Sequence, residues 1–558
     1  MGYTAEMKDL IKRVEATRAD RVERTKNGEY FKPMTLDERH DVLSRFHPDY
    51  MPEGRKAMRV GPNKGDVYPE EVVDCIEAFA RIDPDRVDFS KIPNYATDVL
   101  VIGGGGAGTS AALLASENGM KVILATKLRH GDANTVMAEG GIQGADHEFD
   151  SPYYHFIDAM GGGHFTNRPE LVAALTHDAP VVLSWLEDLG MMFDKKPDGR
   201  MLVRHGGGTC RKRMHSAGDM TGSEIMRVLR DEARSRTDTI EVMEFSAAVE
   251  ILKDKKGRAA GALMYNMETE EYFVVRAKAV VIATGGNGRL HIQGFACTNH
   301  YGATADGLVI AYRAGCSFDL LHSTQYHPTG AAYPEQNVGL LITEKVRGLG
   351  ANLLNIDGNQ FVFEREPRDV ESAAIIRECA ERGKGIRTPV GRLGVWLDSP
   401  MIEMLEGPGA VERELPAKFM QFIRYGIDIR KEPMLIYPTL HYQNGGIKIN
   451  ADTETGVPGL FAAGEVTGGV HGENRLMGNS LLDVTVFGRR AGKTASKYIK
   501  SLTEEIGEPT LDHVREFNAE LKKLNVEAER IAPILLPDYT TPEVRAHQLT
   551  AHYEGTIR

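Results

Sequence analysis

The sequence predicts an α/β protein with a Rossmann-like domain, an inserted α+β capping domain and a helical C-terminal segment. Three observations support this fold class. An apolar run at 99–102 leads into a glycine-rich turn, a helical stretch follows at 110–118, and a second apolar run fills 121–125, which together make a βαβ unit. Two further apolar runs, at 279–283 and 459–463, also end in glycine turns, so one sheet is expected to collect distant strands.

The glycine-rich turn has the spacing of a dinucleotide-binding motif. Gly103 makes the tight turn, Gly105 lets a pyrophosphate approach the backbone, and Gly108 lets the helix pack closely on the strand. The N–H groups at the start of the helix then face the phosphates. Sites of this type that bind NAD usually place an acid at the end of the second strand, whereas this chain has Thr126 and Lys127 there. The pattern therefore favours FAD over NAD.

Composition excludes several classes of protein. With 558 residues the chain is long enough for three or four domains, and 42% hydrophobic residues can fill their cores. No apolar run is long enough to span a membrane, and the N-terminus lacks the pattern of a signal peptide. The formal net charge of −12 argues against nucleic acid as a partner. We expect a cytoplasmic protein that partner subunits could still hold at a membrane.

The cysteines predict no metal site in this chain. The five of them form no CxxC pair and have no spacing suited to zinc, haem or an iron–sulfur cluster; they are Cys75, Cys210, Cys297, Cys316 and Cys379. If the protein moves electrons one at a time, the one-electron centres must therefore lie on another polypeptide.

Hydrophobic periodicity divides the chain into five segments. Residues 1–95 have helical patterns, with a capping box at Thr35 and Glu38, and are expected to pack on the body as an extension without a core of its own. The Rossmann-like domain would occupy 96–326 and 436–492, with the capping domain at 327–435 inserted between its halves. Residues 493–558 are charged and read as helical to their end.

A series of longer motifs then appears in order between residues 97 and 495. They read VMAEGG at 136–141, DMTG at 219–222, QYHPTG at 325–330, LITE at 341–344, PRD at 367–369, HY at 441–442, GE at 464–465 and HGENR at 471–475. Together they resemble the flavoprotein subunit of succinate dehydrogenase and fumarate reductase, with the related soluble fumarate reductases and L-aspartate oxidases.

The resemblance implies a site for a small dicarboxylate above the flavin ring. His327 and Thr343 would hold one carboxylate, and His441 and Arg475 the other. A guanidinium group matches a carboxylate in bidentate geometry, so two fixed sites select the spacing of two carboxylates. Polarising a carboxylate also draws charge from the C=C bond, so that hydride can add to it.

The same resemblance names a proton donor. Arg368 would protonate one alkene carbon while reduced FAD delivers hydride to the other, and Glu344 and Arg347 would return the proton to Arg368. Glu465 resembles the residue that holds the flavin ribityl chain, and residues 139–141 would lie near the ring. The full set expected to contact FAD is Gly103, Gly105, Gly108, Thr126, Lys127, Asn134, Thr135, Glu139, Gly140, Gly141, Thr284, Gly285, Asp306, Glu465, Ser480 and Leu481.

Asn134 is the first departure from the family pattern. In the membrane-bound enzymes a histidine before Thr-Val is covalently bonded to the flavin, and this chain has Asn134 at that position. His130 lies four positions upstream and out of register, so noncovalent FAD is expected. In the family, loss of the covalent bond lowers the flavin potential, which favours fumarate reduction over succinate oxidation.

Two more departures concern substrate and partners. Gly206 stands where the respiratory fumarate reductases carry a phenylalanine against the substrate, which leaves room for a larger enoate. Residues 1–95 lie outside the family pattern, and the segment after 493 is short.

Several functions stay open beside fumarate reduction. They are succinate oxidation, L-aspartate oxidation, reduction of another enoate, and an electron-relay subunit without catalysis. A disulfide reductase fits less well, because the chain has no second GxGxxG and no redox-active cysteine pair. The expected electron source is an iron–sulfur subunit, either alone or with a membrane anchor or other donor subunits.

Overall fold

The computed structural model describes residues 2–539. Its centre is a seven-stranded sheet in which the glycine-turn strand Asn94–Ile102 lies between Val122–Ala125 and Tyr272–Ile282, parallel to both. Leu460–Ala462 pairs in parallel with Tyr272–Ile282, so Val281 opposes both Val101 and Phe461. The remaining strands of the sheet are Ile240–Met243, Ser246–Lys253 and Ala259–Asn266. The sheet thus collects strands from distant parts of the chain.

Helices cover this sheet on both sides of the first glycine turn. The helix after the turn begins at Gly106, four residues earlier than expected, because the glycines themselves adopt helical geometry there. The other helices of this unit are Pro152–Gly162, Pro169–Asp188, Thr221–Ser235 and Asp306–Arg313. Short strands and 3-10 turns complete it at Asn134–Met137, Ile142–Gln143, Val203–Arg204, Met214–His215, Gly288–Leu290, Ile292–Gly294, Phe318–Asp319, Gly446–Lys448 and Thr467–Gly468.

A second lobe is built on an antiparallel sheet. Its two long strands, Thr324–Ala331 and Met434–Gln443, pair with His327 opposite Thr439. The boundaries expected at 326/327 and 435/436 fall inside these strands, because their pairing carries both across the junction. The other elements are Glu335–Asn337, Lys345–Gly348, Leu353–Leu354, Arg368–Ala380, Ile386–Arg387, Leu393–Leu397, Pro400–Glu406, Ala410–Glu414 and Pro416–Ile423.

The N-terminal segment packs on this second lobe. Its first helix, Ala5–Lys26, buries Met7, Ile11 and Val14, and Thr35 forms the expected capping box with Glu38 at the start of Leu36–Phe46. The helix after Tyr68 is short, Glu70–Ile76, and three short strands occur that periodicity did not indicate. These strands and a 3-10 turn are Arg55–Ala57, Val67–Pro69, Phe79–Ala80 and Pro48–Tyr50.

The C-terminal helix Asn479–Ser501 runs across the boundary expected at 492/493. It lies against Gly106–Glu117 so closely that a Cβ on Gly488 or Gly492 would come within 2.4 Å of a carbonyl oxygen of that helix. Asp512–Lys523 and the strand Ile531–Ala532 follow, and the latter pairs with Phe79–Ala80. Residues 535–539 are not helical, in contrast to the expectation, and 540–558 lie outside the described residues. Among residues 2–539, no helix has both the length and the apolar character needed to cross a bilayer.

Asp398 anchors the N-terminal segment to the second lobe. Its fully buried carboxylate accepts hydrogen bonds from Arg18 at 2.9 Å and Arg21 at 2.7 Å. Both guanidinium groups belong to Ala5–Lys26, and Arg21 is almost as buried as Asp398. The attachment of this helix therefore depends on one buried anion.

We predict that Asp398→Ala destabilises the protein by about 3–5 kcal/mol, because two guanidinium groups would stay buried without their counter-ion. Urea denaturation measures the change. Asp357→Asn is the control, since its exposed contacts with Arg13 and Lys384 are worth at most about 1 kcal/mol. Equal stability of the two variants would contradict the anchoring role.

Candidate active site

A deep cleft opens at the carboxyl ends of the parallel strands, where α/β sheets bind ligands. It contains about 1310 Å³ of empty space. The predicted cofactor residues that line it are Gly103, Gly105, Thr126, Lys127, Asn134, Thr135, Thr284, Gly285, Asp306, Glu465, Ser480 and Leu481. Residues from three separate glycine turns thus face one space.

The first glycine turn fits a diphosphate. Gly103 has a φ of +119°, and a Cβ there would lie 2.2 Å from the Ala283 carbonyl oxygen, so only glycine is tolerated. Gly108 lies beneath the turn, where a Cβ would lie 1.8 Å from the Gly103 oxygen, so it serves helix packing. The helix Gly106–Glu117 has no side-chain cap from Gly105, which leaves its positive end to face an anion.

The far end of the cleft is polar. The Lys127 ammonium group contacts the Asp306 carboxylate and the Thr304 hydroxyl, so its charge is already paired. The Thr284 hydroxyl also faces the cleft and is buried without a hydrogen-bond partner in the described part of the chain. A buried polar atom left in this state fits a ligand that supplies its partner.

Asn134 joins two walls of the cleft. Its amide nitrogen donates to Glu465 Oε2 at 2.9 Å, and its carbonyl oxygen accepts the backbone N–H of His300 at 2.7 Å. Burial raises the pKa of Glu465, and the bond from Asn134 opposes that rise. His130 is buried elsewhere, against the Thr109 hydroxyl. The residue at the family's covalent position therefore makes two hydrogen bonds in the cleft wall.

Three predicted cofactor residues, 139–141, face the junction between the lobes. The Glu139 carboxylate pairs with Lys418 of the second lobe at 2.6 Å, and burial raises its pKa to about 7. A Cβ on Gly140 would meet the Met477 methyl group at 2.4 Å, and one on Gly141 would meet the His215 carbonyl oxygen at 2.6 Å. Close packing explains both glycines.

The predicted substrate residues meet where the two lobes join. The rings of His327 and His441 lie 5.0 Å apart on neighbouring strands. His327 Nδ1 accepts the Thr329 N–H at 3.2 Å, which leaves Nε2 as the protonated nitrogen. His441 Nδ1 contacts the Thr298 hydroxyl at 2.8 Å. Thr343 is buried just before the helix Lys345–Gly348.

This junction is cationic. Burial lowers the pKa of His327 and His441 well below the usual range, and nearby arginines lower it further, so both rings are neutral. Burial and Arg368 together lower the pKa of Arg475 to about 9. Arg475 Nε is buried without a hydrogen-bond partner among residues 2–539, although its guanidinium group lies 4.6 Å from the Tyr442 ring centroid. An anion would relieve both conditions.

Arg368 begins the helix Arg368–Ala380 and is held on two sides. Its Nε donates to Glu344 Oε2 at 2.8 Å, and its Nη1 donates to Gln325 Oε1 at 3.0 Å. Burial lowers the pKa of Arg368, which makes the guanidinium group a better acid than in water. Burial would raise the pKa of Glu344, but Arg368 and Arg347 outweigh it and keep the carboxylate charged. Arg347 Nη2 lies 3.6 Å from Glu344.

Sequence reasoning missed the role of Gln325. Its amide oxygen accepts from Arg368, and its amide nitrogen donates to the Arg475 carbonyl oxygen at 2.7 Å, so it joins the two arginines. It also stands two residues before His327 on one strand, and alternate strand residues share a face. That spacing was the available signal.

The loop after Val203–Arg204 also reaches the site. The Gly207 N–H donates to Glu344 Oε1 at 2.9 Å, and a Cβ at Gly207 would come within 2.0 Å of that oxygen. At Gly206, a Cβ would meet the Met214 methyl group at 2.7 Å. Met214 therefore fills the space beside Gly206, and no sequence signal indicated this.

One cluster among residues 2–539 could offer ligands to a metal. Asp146, His147 and His215 place one ligand atom each within 4.8 Å of the others. Asp146 already contacts His147 Nδ1 at 2.6 Å and His215 Nε2 at 3.1 Å. These hydrogen bonds give the three side chains a role without an ion.

Comparison with known proteins agrees with this geometry. The sequence profile of the FAD binding domain family matches residues 98–481. The flavoprotein-like chain of the CoM/CoB fumarate reductase of Methanothermobacter marburgensis is 40% identical over 443 residues, covering 76% of this chain and 78% of the relative. An L-aspartate oxidase of Streptomyces coelicolor is 35% identical, covering 71% and 67%.

A solved structure supports the same relation. The E. coli quinol fumarate reductase is 32% identical and superposes with a TM-score of 0.69, covering 78% of this chain and 74% of that one. The chain is thus an FAD-dependent oxidoreductase that belongs to the flavoprotein family of succinate dehydrogenases and fumarate reductases.

Proposed function

We propose that this protein reduces fumarate to succinate as the flavoprotein component of a larger complex. The observation that carries the proposal is Arg368, which Glu344 and Gln325 hold beside the neutral pair His327 and His441. A cationic, buried acid next to an FAD-sized cleft is what protonation of a reduced alkene requires.

The substrate would lie between the lobes with its two carboxylates held apart. His327 and Thr343 offer neutral donors to one carboxylate, and His441 and Arg475 bind the other. Arg475 gains most, because a dianion compensates its burial and its repulsion from Arg368. Both carboxylates draw electron density from the double bond, and the closed junction keeps water away.

Proton transfer would come from the chain itself. Reduced FAD, when bound, would supply the hydride that adds to one alkene carbon. Arg368 would donate a proton to the other carbon, and Glu344 and Arg347 would return one to it. The lowered pKa of Arg368 makes this donation faster than from an arginine in water.

The direction of reaction is argued from Asn134. Its hydrogen bonds to Glu465 and His300 fit a cofactor held by noncovalent contacts, for which the family pattern implies a lower potential and net reduction. Electrons would come from an iron–sulfur partner, since one of the compared proteins is a component of a multi-chain reductase and another is a quinol-dependent reductase. A cytoplasmic location, with membrane association through partners, remains a prediction.

L-Aspartate oxidation is the second candidate, and the similarity to the Streptomyces coelicolor enzyme supports it. An assay of reduced viologen oxidation with fumarate, L-aspartate or succinate distinguishes the reactions. We expect turnover with fumarate. Oxidation of L-aspartate with no response to fumarate would overturn the proposal.

We predict that Arg368→Gln lowers fumarate turnover by about 10²- to 10⁴-fold, because the amide cannot donate the proton. Flavin absorbance of the purified variant should equal that of the wild type, since Arg368 lies outside the cleft lining. Arg382→Gln, an exposed change just beyond the same helix, is the control. Unchanged turnover in Arg368→Gln would exclude it as the proton donor.

We also predict that acid or urea denaturation releases all of the FAD into solution, because Asn134 cannot form the covalent bond. Filtration after denaturation and flavin absorbance measure this. Redox titration of the native protein should then place the flavin potential below that of the fumarate/succinate couple. Flavin retained on the denatured chain, or a potential above the couple, would contradict the argument from Asn134.

A further inference from the structure

The proton relay from Arg368 does not reach solvent at Arg347. Arg347 is buried, and a relay that stops there has no source of protons. On the side away from Glu344, its Nη1 contacts the carboxyl group of Glu371 and donates to the Glu364 carbonyl oxygen at 3.0 Å. The next titratable group is therefore Glu371.

Glu371 lies one helical turn after Arg368, on the same face of Arg368–Ala380. Its side chain is fully buried, and its Oε1 has no hydrogen-bond partner within residues 2–539. A second charged carboxylate would be costly at this depth. Nothing in the mechanism above uses this group.

The charges around Glu371 favour its protonated form. Arg347 faces it and lowers its pKa, whereas Glu344, Glu364 and Glu366 all raise it, and burial raises it most. Arg39 of the N-terminal segment pairs with Glu366 at 2.8 Å, and Arg365 lowers the pKa of Glu364. The net result is a pKa well above the usual range, so Glu371 carries a proton at neutral pH.

A path to water lies at Glu364. Its side chain lines a small open cavity of about 240 Å³, between the N-terminal segment and the second lobe. Gln360 donates to Glu364 Oε2 at 3.0 Å, and Arg21 and Tyr30 form the opposite wall. The same residue thus contacts both the cavity and Arg347.

We propose that Glu371 is the proton reservoir of the relay and that protons enter through the cavity at Glu364. The proposal rests on the proposed fumarate reduction. Each turnover transfers one proton from Arg368 to carbon. Glu344 reprotonates Arg368, Arg347 reprotonates Glu344, and Glu371 reprotonates Arg347. The Glu371 carboxylate then takes one proton from water, so the relay returns to its starting state, and no electrons move through it.

Glu371→Gln tests the reservoir, since glutamine keeps the shape and can still contact Arg347. Glu378→Gln is the matched control, because it removes a buried carboxylate two turns along the same helix, where Asn355 and Arg382 are its partners. At neutral pH we expect the infrared carbonyl band of a protonated carboxyl group to be lost in Glu371→Gln and kept in Glu378→Gln. This measurement needs neither substrate nor turnover.

The second readout is the pH profile of fumarate reduction. The wild-type rate should fall as pH rises through the raised pKa of Glu371, because the reservoir then loses its proton. In Glu371→Gln, kcat should be lower by about tenfold or more with a larger solvent deuterium isotope effect, while KM stays within about twofold. Glu364→Gln should lower kcat in the same direction, since it acts at the entrance.

The outcomes separate the two proposals. Absence of fumarate turnover in the wild type refutes the proposed function, and the infrared band still decides whether Glu371 holds a proton. An unchanged infrared spectrum in Glu371→Gln refutes the reservoir. So does a wild-type pH profile and isotope effect in a folded Glu371→Gln.

Discussion

The active site depends on one buried anion, Glu344. It lies between the guanidinium groups of Arg368 and Arg347, and it also accepts the N–H of Gly207. Without that charge, two cations would be buried side by side. The carboxylate thus fixes Arg368 in position, joins the relay, and holds a loop of the Rossmann-like domain against the second lobe. A single side chain connects catalysis with the junction of the lobes.

Short-range patterns were well predicted from sequence. The turn at Gly103 follows from φ and close packing, which depend on neighbours within a few residues. The pairing of His327 with His441 is different, because it depends on strand register across more than a hundred residues. Only the resemblance to a family brought these two together. Strands of two or three residues, such as Phe79–Ala80, have no periodicity to detect, because they exist only through their partners.

Other features could not be predicted because they depend on what fills a space. Met214 occupies the volume beside Gly206, so the absence of a large side chain there does not leave an empty pocket. Asn134 was predicted by what it cannot do, whereas its two hydrogen bonds depend on Glu465 and His300 meeting in three dimensions. Glu371 gave no signal, since a glutamate on a helix is normally exposed.

The pairing of Phe79–Ala80 with Ile531–Ala532 has a consequence for synthesis of the chain. Arg81 donates to the Pro533 carbonyl oxygen at 3.2 Å, and these residues are 452 positions apart. At translation rates of about 5–20 residues per second, the first partner waits roughly 20–90 s on the ribosome for the second. The strand Leu460–Ala462 imposes a similar delay on the central sheet. Folding of this protein is therefore largely post-translational, and its nascent chain exposes an incomplete sheet that chaperones would have to protect.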